Sequence, residues 1–241
     1  MKILLAGDTH GNIMQFNYLH YVMKEHDIKR GIVLGDFGLW PGSGGEEFLN
    51  SLEQMCVEDE LEWDWLDGNH EDHTRIQEWM ANENAYHTRH EVTPHVFYLP
   101  RGYRFEIDGC RFMSLGGAYS VDKDNRVPYL SWWPEEEITY GDINRSLDGP
   151  KVDVLLTHDM PSDQEAVVAL GFQMLPGGDA NRRAVSAVMY ELQPKLVAHG
   201  HMHQRYSVKV GNTMVEGIDC DGGGRNSWII IETDDWKSDV L

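Results

Sequence analysis

Five short motifs, spread from near the start of the chain to near its end, carry side chains that bind divalent metal ions. They are Asp8-Thr9-His10, Gly35-Asp36, Gly68-Asn69-His70-Glu71, Thr157-His158 and Gly200-His201-Met202-His203. Together Asp8, His10, Asp36, Asn69, His158, His201 and His203 offer two carboxylates, one neutral amide oxygen and four imidazoles, with His70 left over. That donor set suits two divalent ions sharing one pocket, a device for cutting phosphate esters with a metal-activated water. Asp36 has two oxygens and can bridge two ions. Asn69 and His70 are adjacent and point apart, so one can bind metal while the other stays free. The better ligand is Asn69, which leaves His70 as an acid or base. If the Asp8 and His203 segments are extended, residues two apart share a face, so Asp8 and His10 reach one metal and His201 and His203 a common cluster.

Charge bookkeeping agrees with phosphate chemistry. Two divalent ions bring four positive charges, and Asp8, Asp36 and a bridging hydroxide remove only three. The cluster stays positive and can attract a phosphoryl group. Imidazole-rich ligation without thiolate suits Mn, Fe, Zn or Co better than Ca or Mg.

The motifs need elements that bring them together. Lys2–Gly7, Gly31–Leu34, Trp63–Leu66, Val152–Leu156 and Lys195–Ala198 are short apolar runs, each leading into one motif, and read as buried strands. Helices are predicted over Asn12–His26, Glu46–Glu58, Asp72–Asn82, Pro134–Arg145 and Ala180–Leu192. Strands alternating with helices predict an α/β fold with parallel sheets and crossover helices. Sites in such folds lie beyond the C-terminal ends of the strands. Val96–Leu99, Tyr103–Ile107 and Arg111–Leu115 read as antiparallel strands, with a hairpin turn at Asp108-Gly109. Tyr206–Val210, Thr213–Ile218 and Trp228–Glu232 read as closing strands.

The chain has 241 residues and a formal charge of −20. Motifs that must meet in one pocket favour a single domain over 1–241. The acidity argues against a stable nucleic-acid partner, because neutralising a phosphate backbone needs Lys and Arg. Cys56, Cys110 and Cys220 include no C-x-x-C pair and read as reduced, mostly buried thiols of a cytoplasmic protein. No apolar run reaches membrane-spanning length, so no membrane partner is expected.

The ordered set D-x-H, G-D, G-N-H-E, H, G-H-x-H, from Asp8 to His203, resembles the calcineurin-like metallophosphoesterase superfamily. The resemblance implies an α/β, αββα fold: a two-sheet β-sandwich flanked by helices, with a dimetal site at the C-terminal strand ends. It implies one metal on Asp8, His10, Asp36 and His203 and another on Asp36, Asn69, His158 and His201. It also implies that His70 protonates the leaving-group oxygen while a metal-bound hydroxide attacks phosphorus in line. Protein serine/threonine phosphatases and their dinucleotide-polyphosphate relatives carry an arginine after the second motif, as G-D-x-x-x-R-G. Here the run is Gly35-Asp36-Phe37-Gly38-Leu39-Trp40, which points to the compact phosphodiesterase-like branch.

The expected function is hydrolysis of small phosphodiesters, with 2′,3′-cyclic nucleotides as leading candidates. The expected cofactor is a pair of divalent ions, Mn first and Fe, Zn or Co behind it. The rival readings are a phosphomonoesterase, a single-strand nuclease or a non-catalytic interaction module. Substrate contacts are expected from a lid or rim insertion around 118–137, carrying Tyr119, Lys123, Arg126 and Trp132-Trp133, and from Arg182 beside the Pro176-Gly177-Gly178 loop. Glu135-Glu136-Glu137 reads as a solvated helix start. His20, His26, His73, His87, His90 and His95 lie outside the motifs and read as surface or core residues.

Overall fold

In the first strand Ile3 and Leu5 face one way, Leu4 and Ala6 the other, and all four are fully buried. A strand covered on both faces belongs inside a layered α/β structure. The computed structural model describes residues 1–171 and 176–237. In chain order the strands are β1 Lys2–Ala6, β2 Arg30–Val33, β3 Glu62–Trp65, β4 His90–Thr93, β5 Val96–Tyr98, β6 Arg104–Ile107, β7 Cys110–Leu115, β8 Val154–Thr157, β9 Leu196–His199, β10 Tyr206–Val210, β11 Thr213–Gly217 and β12 Trp228–Glu232. The α-helices are α1 Ile13–Glu25, α2 Ser43–Asp59, α3 His73–Trp79, α4 Tyr140–Leu147, α5 Gln164–Leu170, α6 Asp179–Leu192 and α7 Thr233–Trp236.

The strands form two six-stranded sheets, ordered β12-β1-β2-β3-β5-β4 and β10-β11-β9-β8-β7-β6. Ile3, Leu5, Ile32 and Leu34 of the first sheet meet Phe112, Val154, Leu156 and Leu196 of the second in a central core. On the outer side of the first sheet, Leu4, Trp63 and Trp65 pack with Phe16 and Leu19 of α1 and Phe48 of α2. On the outer side of the second, Leu155 and Val197 pack with Val188 and Met189 of α6. The result is the expected helix–sheet–sheet–helix sandwich. β1, β2 and β3 run parallel in one sheet, β7, β8 and β9 in the other. The last strand returns to pair antiparallel with the first.

Three local expectations change. Of the strands read as antiparallel, β6 and β7 form the Asp108-Gly109 hairpin, but β5 belongs to the other sheet and pairs parallel with β3. Its antiparallel neighbour is β4, whose short and half-exposed run carries no apolar alternation. The helix predicted over Pro134–Arg145 is two pieces: a single 3₁₀ turn at Pro134–Glu136, then α4. Thr139 causes the break, because its side chain caps Asp142 and the Asp142 carboxylate bonds back to the Thr139 amide, so the helix starts there. Glu136 is not solvated but fully buried. The short helix α5 had no expectation, and Ala166 and Leu170 are its buried anchors.

One buried arginine ties this irregular stretch to the first sheet. Arg101 follows β5, and its guanidinium donates to Asp67 Oδ2 from Nε (2.9 Å) and Nη2 (2.6 Å). It also donates to Asp142 Oδ2 (3.2 Å) and to the carbonyls of Glu135, Glu136 and Glu137. Asp67 is wholly buried and sits two residues before Asn69. Arg101→Met would leave that carboxylate without its cation, and breaking such a pair costs about 3–5 kcal/mol. Urea unfolding is expected to show a loss of that size.

Candidate metal centre

Each motif lies just past the C-terminal end of a strand: Asp8 after β1, Asp36 after β2, Asn69 after β3, His158 after β8 and His201 after β9. Three therefore come from one sheet and two from the other, at the seam between them. Backbone bonds zip the first two loops together, because the amides of Thr9 and His10 both donate to the Asp36 carbonyl at 3.1 and 2.7 Å. Other bonds cross between the sheets. His158 Nδ1 donates to the Leu34 carbonyl (2.7 Å), and the His201 amide donates to Asp8 Oδ1 (2.8 Å).

The expected donors converge. His203 Nε2 is 2.9 Å from Asp8 Oδ2, His10 Nε2 is 3.7 Å from Asp36 Oδ2, and His158 Nε2 is 3.4 Å from Asp36 Oδ1 and 3.1 Å from Asn69 Oδ1. The rings of His158 and His201 are 4.9 Å apart, centre to centre. Two groups could each hold a metal: Asp8, His10 and His203, and Asp8, Asp36 and His158, with ligand atoms within 4.8 Å of one another in each. The clusters share Asp8 and are consistent with a dinuclear centre.

The chain does not reach this geometry through extended segments. His10, Asp36, His201 and His203 have φ of 46°, 49°, 59° and 48°, in the left-handed region that residues with a Cβ seldom adopt. Each such residue stores of order 1–3 kcal/mol of strain, which collects at functional sites. The side chains turn into the pocket because the backbone kinks, not because alternate residues share a face.

Charge decides what the pocket accepts. Asp8 and Asp36 are 1% and 2% exposed. Among the described residues neither is paired with a lysine or arginine; their ionic partners are imidazoles. Burial alone would raise the Asp36 carboxyl, but His158 and His10 beside it outweigh that and hold it well below its usual value. Asp8 is lowered too, with His203 and His158 overcoming its burial. His10 responds in the opposite sense, because Asp36 and Asp8 overcome its burial and raise it to about 10. Two desolvated carboxylates ringed by nitrogen donors favour bound cations. The residues therefore fit a pair of divalent ions.

His70 stands at the edge. Its amide donates to Asp36 Oδ1 (2.9 Å) and its Nε2 is 3.9 Å from Asp36 Oδ2. Arg126 Nη2 donates to His70 Nε2 at 2.7 Å, and Arg126 Nε donates to Asp122 at 2.9 Å. Burial and the Arg126 charge lower the His70 imidazole against the pull of Asp36. Lys123 Nζ lies 4.4 Å from the Tyr119 ring centre and 5.8 Å from that of Trp132. Trp133 is buried and donates to Thr74. Arg182 is buried, donating to the Gly177 carbonyl (2.8 Å) and Asp179 (2.5 Å).

Several supporting residues were not expected at the site. Ser120 Oγ accepts from Asn69 Nδ2 (3.0 Å), which aims the amide oxygen at His158. Glu136 holds that serine by accepting from its backbone amide (2.9 Å). Glu71 Oε1 accepts from Phe37 N and its Oε2 from Gly68 N, joining the second and third loops. The G-N-H-E run placed Glu71 beside the site, but nothing in the pattern distinguished Ser120 or Glu136.

The glycines of the motifs have a steric purpose. A Cβ on Gly200 would lie 2.2 Å from Asp8 Oδ1, and one on Gly68 would lie 2.1 Å from Asp36 Oδ1. Gly200→Ala must displace the Asp8 carboxylate. By calorimetric titration with MnCl₂, we expect affinity to fall at least about tenfold, the lower end for disturbing ligand support. Circular dichroism should show the sandwich still folded.

The calcineurin-like phosphoesterase family matches this chain over residues 1–205. No curated protein matches the chain. Among solved structures, one matches with a TM-score of 0.62 at 13% identity, covering 98% of this chain and 96% of that one. The protein TT1561 of Thermus thermophilus matches with a TM-score of 0.58 at 14% identity, covering 96% of this chain and 98% of its own. A novel archaeal phosphodiesterase matches with a TM-score of 0.48 at 14% identity, over 98% and 96%. At these identities the likeness concerns the fold. The helices of this chain include none long and apolar enough to cross a membrane, among the described residues. The family match takes in every donor residue described above, and the chain accordingly belongs to the calcineurin-like phosphoesterase family, as a metal-dependent phosphoric ester hydrolase.

Proposed function

We propose that the chain hydrolyses small phosphodiesters, with 2′,3′-cyclic nucleotides as the first substrates to test and manganese as the first metal. The carrying observation is the contact between Arg126 and His70 at the mouth of the pocket. It brings a guanidinium to the catalytic edge although no arginine follows Gly35-Asp36 in the second motif. Asp122 already balances part of its charge. A partly balanced cation suits the single negative charge of a diester better than the two of a monoester.

In this reading Asp8, His10, Asp36 and His203 would hold one ion, and Asp36, Asn69, His158 and His201 would hold the other. Ions held there would supply an activated water and positive charge for the phosphoryl oxygens. Arg126 binds a non-bridging oxygen. A guanidinium only donates, so while Arg126 is bonded to His70 Nε2 that nitrogen carries a lone pair. Transfer of the guanidinium to phosphate frees Nε2 to take a proton from solvent, and His70 then gives that proton to the leaving oxygen as the ester bond breaks. Tyr119, Lys123 and Trp132 form an aromatic and cationic wall beside it, and Arg182 braces the Tyr119 side through the Gly177-Gly178 turn. The 118–137 segment is the rim of one domain that spans the chain.

Protein loaded with manganese is expected to hydrolyse bis-p-nitrophenyl phosphate faster than the monoester; failure with Mn, Fe, Co and Zn alike would end the proposal. His70→Ala should reduce turnover of diesters with poor leaving groups by about two to four orders of magnitude, the scale of general acid–base help. It should have little effect on p-nitrophenolate release, which needs no proton. Arg126→Ala should raise KM for diesters at least about tenfold, as expected when a charge-assisted contact of roughly 1.5–3 kcal/mol is lost. An unchanged KM would remove Arg126 from the substrate site.

A further inference from the structure

After β11 the chain makes a tight turn through Cys220-Asp221-Gly222-Gly223, closed by the Gly223 amide donating to the Cys220 carbonyl (3.0 Å), before reaching β12. This turn lies beyond the residues matched to the family, 1–205. It nonetheless folds back onto the metal centre, where the Asp221 amide donates to the Asp8 carbonyl at 2.7 Å. The Asp221 carboxylate then divides its two oxygens. Oδ1 accepts from His10 Nδ1 at 2.8 Å, and Oδ2 accepts from Asn12 Nδ2 at 2.8 Å. Asn12 is itself fixed as the cap of α1, its side-chain oxygen accepting from the Met14 and Gln15 amides.

We propose that Asp221 is a positioning residue for metal binding, setting the ring orientation and tautomer of His10. An ionised carboxylate only accepts, so the nitrogen facing it must carry hydrogen. His10 Nδ1 is therefore the donor, and Nε2 is the nitrogen turned toward Asp36 and Asp8, the one that would give its lone pair to an ion held there. His158 obeys the same logic through a different acceptor: its Nδ1 donates to the Leu34 carbonyl and its Nε2 faces Asp36. Carboxylate–histidine–metal relays of this kind orient the ring and raise the basicity of the ligating nitrogen. His10 needs such a partner more than His158 does. Its backbone is left-handed and its side chain is 26% exposed, whereas His158 is fully buried and held by packing.

The inference rests on the metal-binding reading of the site, and calorimetric titration with MnCl₂ separates the two. Absence of uptake of manganese, iron, cobalt and zinc alike by the unaltered protein would remove the metal reading itself, and the titrations of the variants use whichever of these it binds. Given uptake, Asp221→Ala is expected to weaken affinity about 10–100-fold, the range for loss of a ligand's supporting partner. In a His10→Ala background the same substitution should change affinity by less than about twofold, because the residue through which it acts is gone. Unchanged affinity in Asp221→Ala, or the same loss in both backgrounds, overturns the proposal. Asn12→Asp combined with Asp221→Asn exchanges donor and acceptor while keeping both hydrogen bonds, and should stay within about threefold of the unaltered protein. Should Asp221→Ala fail to fold, this exchange decides: affinity as low as that of His10→Ala overturns the role.

Discussion

Two carboxylates, Asp8 and Asp36, are buried at the ends of neighbouring strands, and the rest of the structure answers to that fact. Removing a charge from water is expensive unless other charges or dipoles replace the solvent. Imidazoles supply that replacement from the second sheet and from the kinked loops, while backbone amides of His70 and His201 supply the remaining hydrogen bonds. The arrangement explains the small residues beside the ligands. Gly68 and Gly200 leave room for carboxylate oxygens to lie where a side chain would otherwise be. It also explains the left-handed backbone at Asp36 and His10, since only a sharp turn returns these side chains over the strand ends.

The site is divided between the sheets, so its precision depends on how they are packed. The central core of Ile3, Leu5, Ile32 and Leu34 against Phe112, Val154, Leu156 and Leu196 sets that spacing. Interiors of this kind are close-packed and transmit small displacements rather than absorbing them. The bond from His158 to the Leu34 carbonyl then converts core packing into ligand position, because Leu34 is both a core residue and the last residue before Gly35-Asp36. A substitution in the core can therefore move His158 relative to Asp36 without touching either.

What was legible in the sequence follows from this physics. Apolar runs ending in Gly-Asp, Gly-Asn-His or Gly-His mark buried strands with a ligand at the exit, and those strands stand within a residue or two of the expected places. Chemistry that depends on one residue type at one spacing is visible locally. Long-range pairing is not. β5 joins β3 rather than β6 because the choice between sheets depends on partners far along the chain, and a three-residue run such as Val96–Tyr98 carries too little pattern to show it. The same holds for the supports. Ser120, Glu136 and Asp221 are ordinary polar residues in irregular segments, and only the fold brings them to Asn69, Ser120 and His10 respectively. Backbone strain was hidden as well, since His10, His201 and His203 would have shared faces in an extended chain and instead reach the pocket through positive φ.

The 118–137 segment, proposed above as the rim, obeys a different rule from the metal centre. Its anchors are buried: Ser120, Trp133 and Glu136 lie within the protein, held by Asn69, Thr74 and the Arg101 bonds to neighbouring carbonyls. Between those anchors Val121, Val127, Tyr129 and Leu130 are 54–65% exposed. A segment pinned at both ends but free of core packing between them can change its exposed residues at little energetic cost, because such substitutions usually shift stability by within about 0.5 kcal/mol. The histidines clustered at Asp8 and Asp36 have no such freedom, since His10, His158 and His203 each face a buried carboxylate. The division lets the exposed residues of this segment vary while the buried cluster stays constant, and a shared scaffold does not by itself fix one substrate.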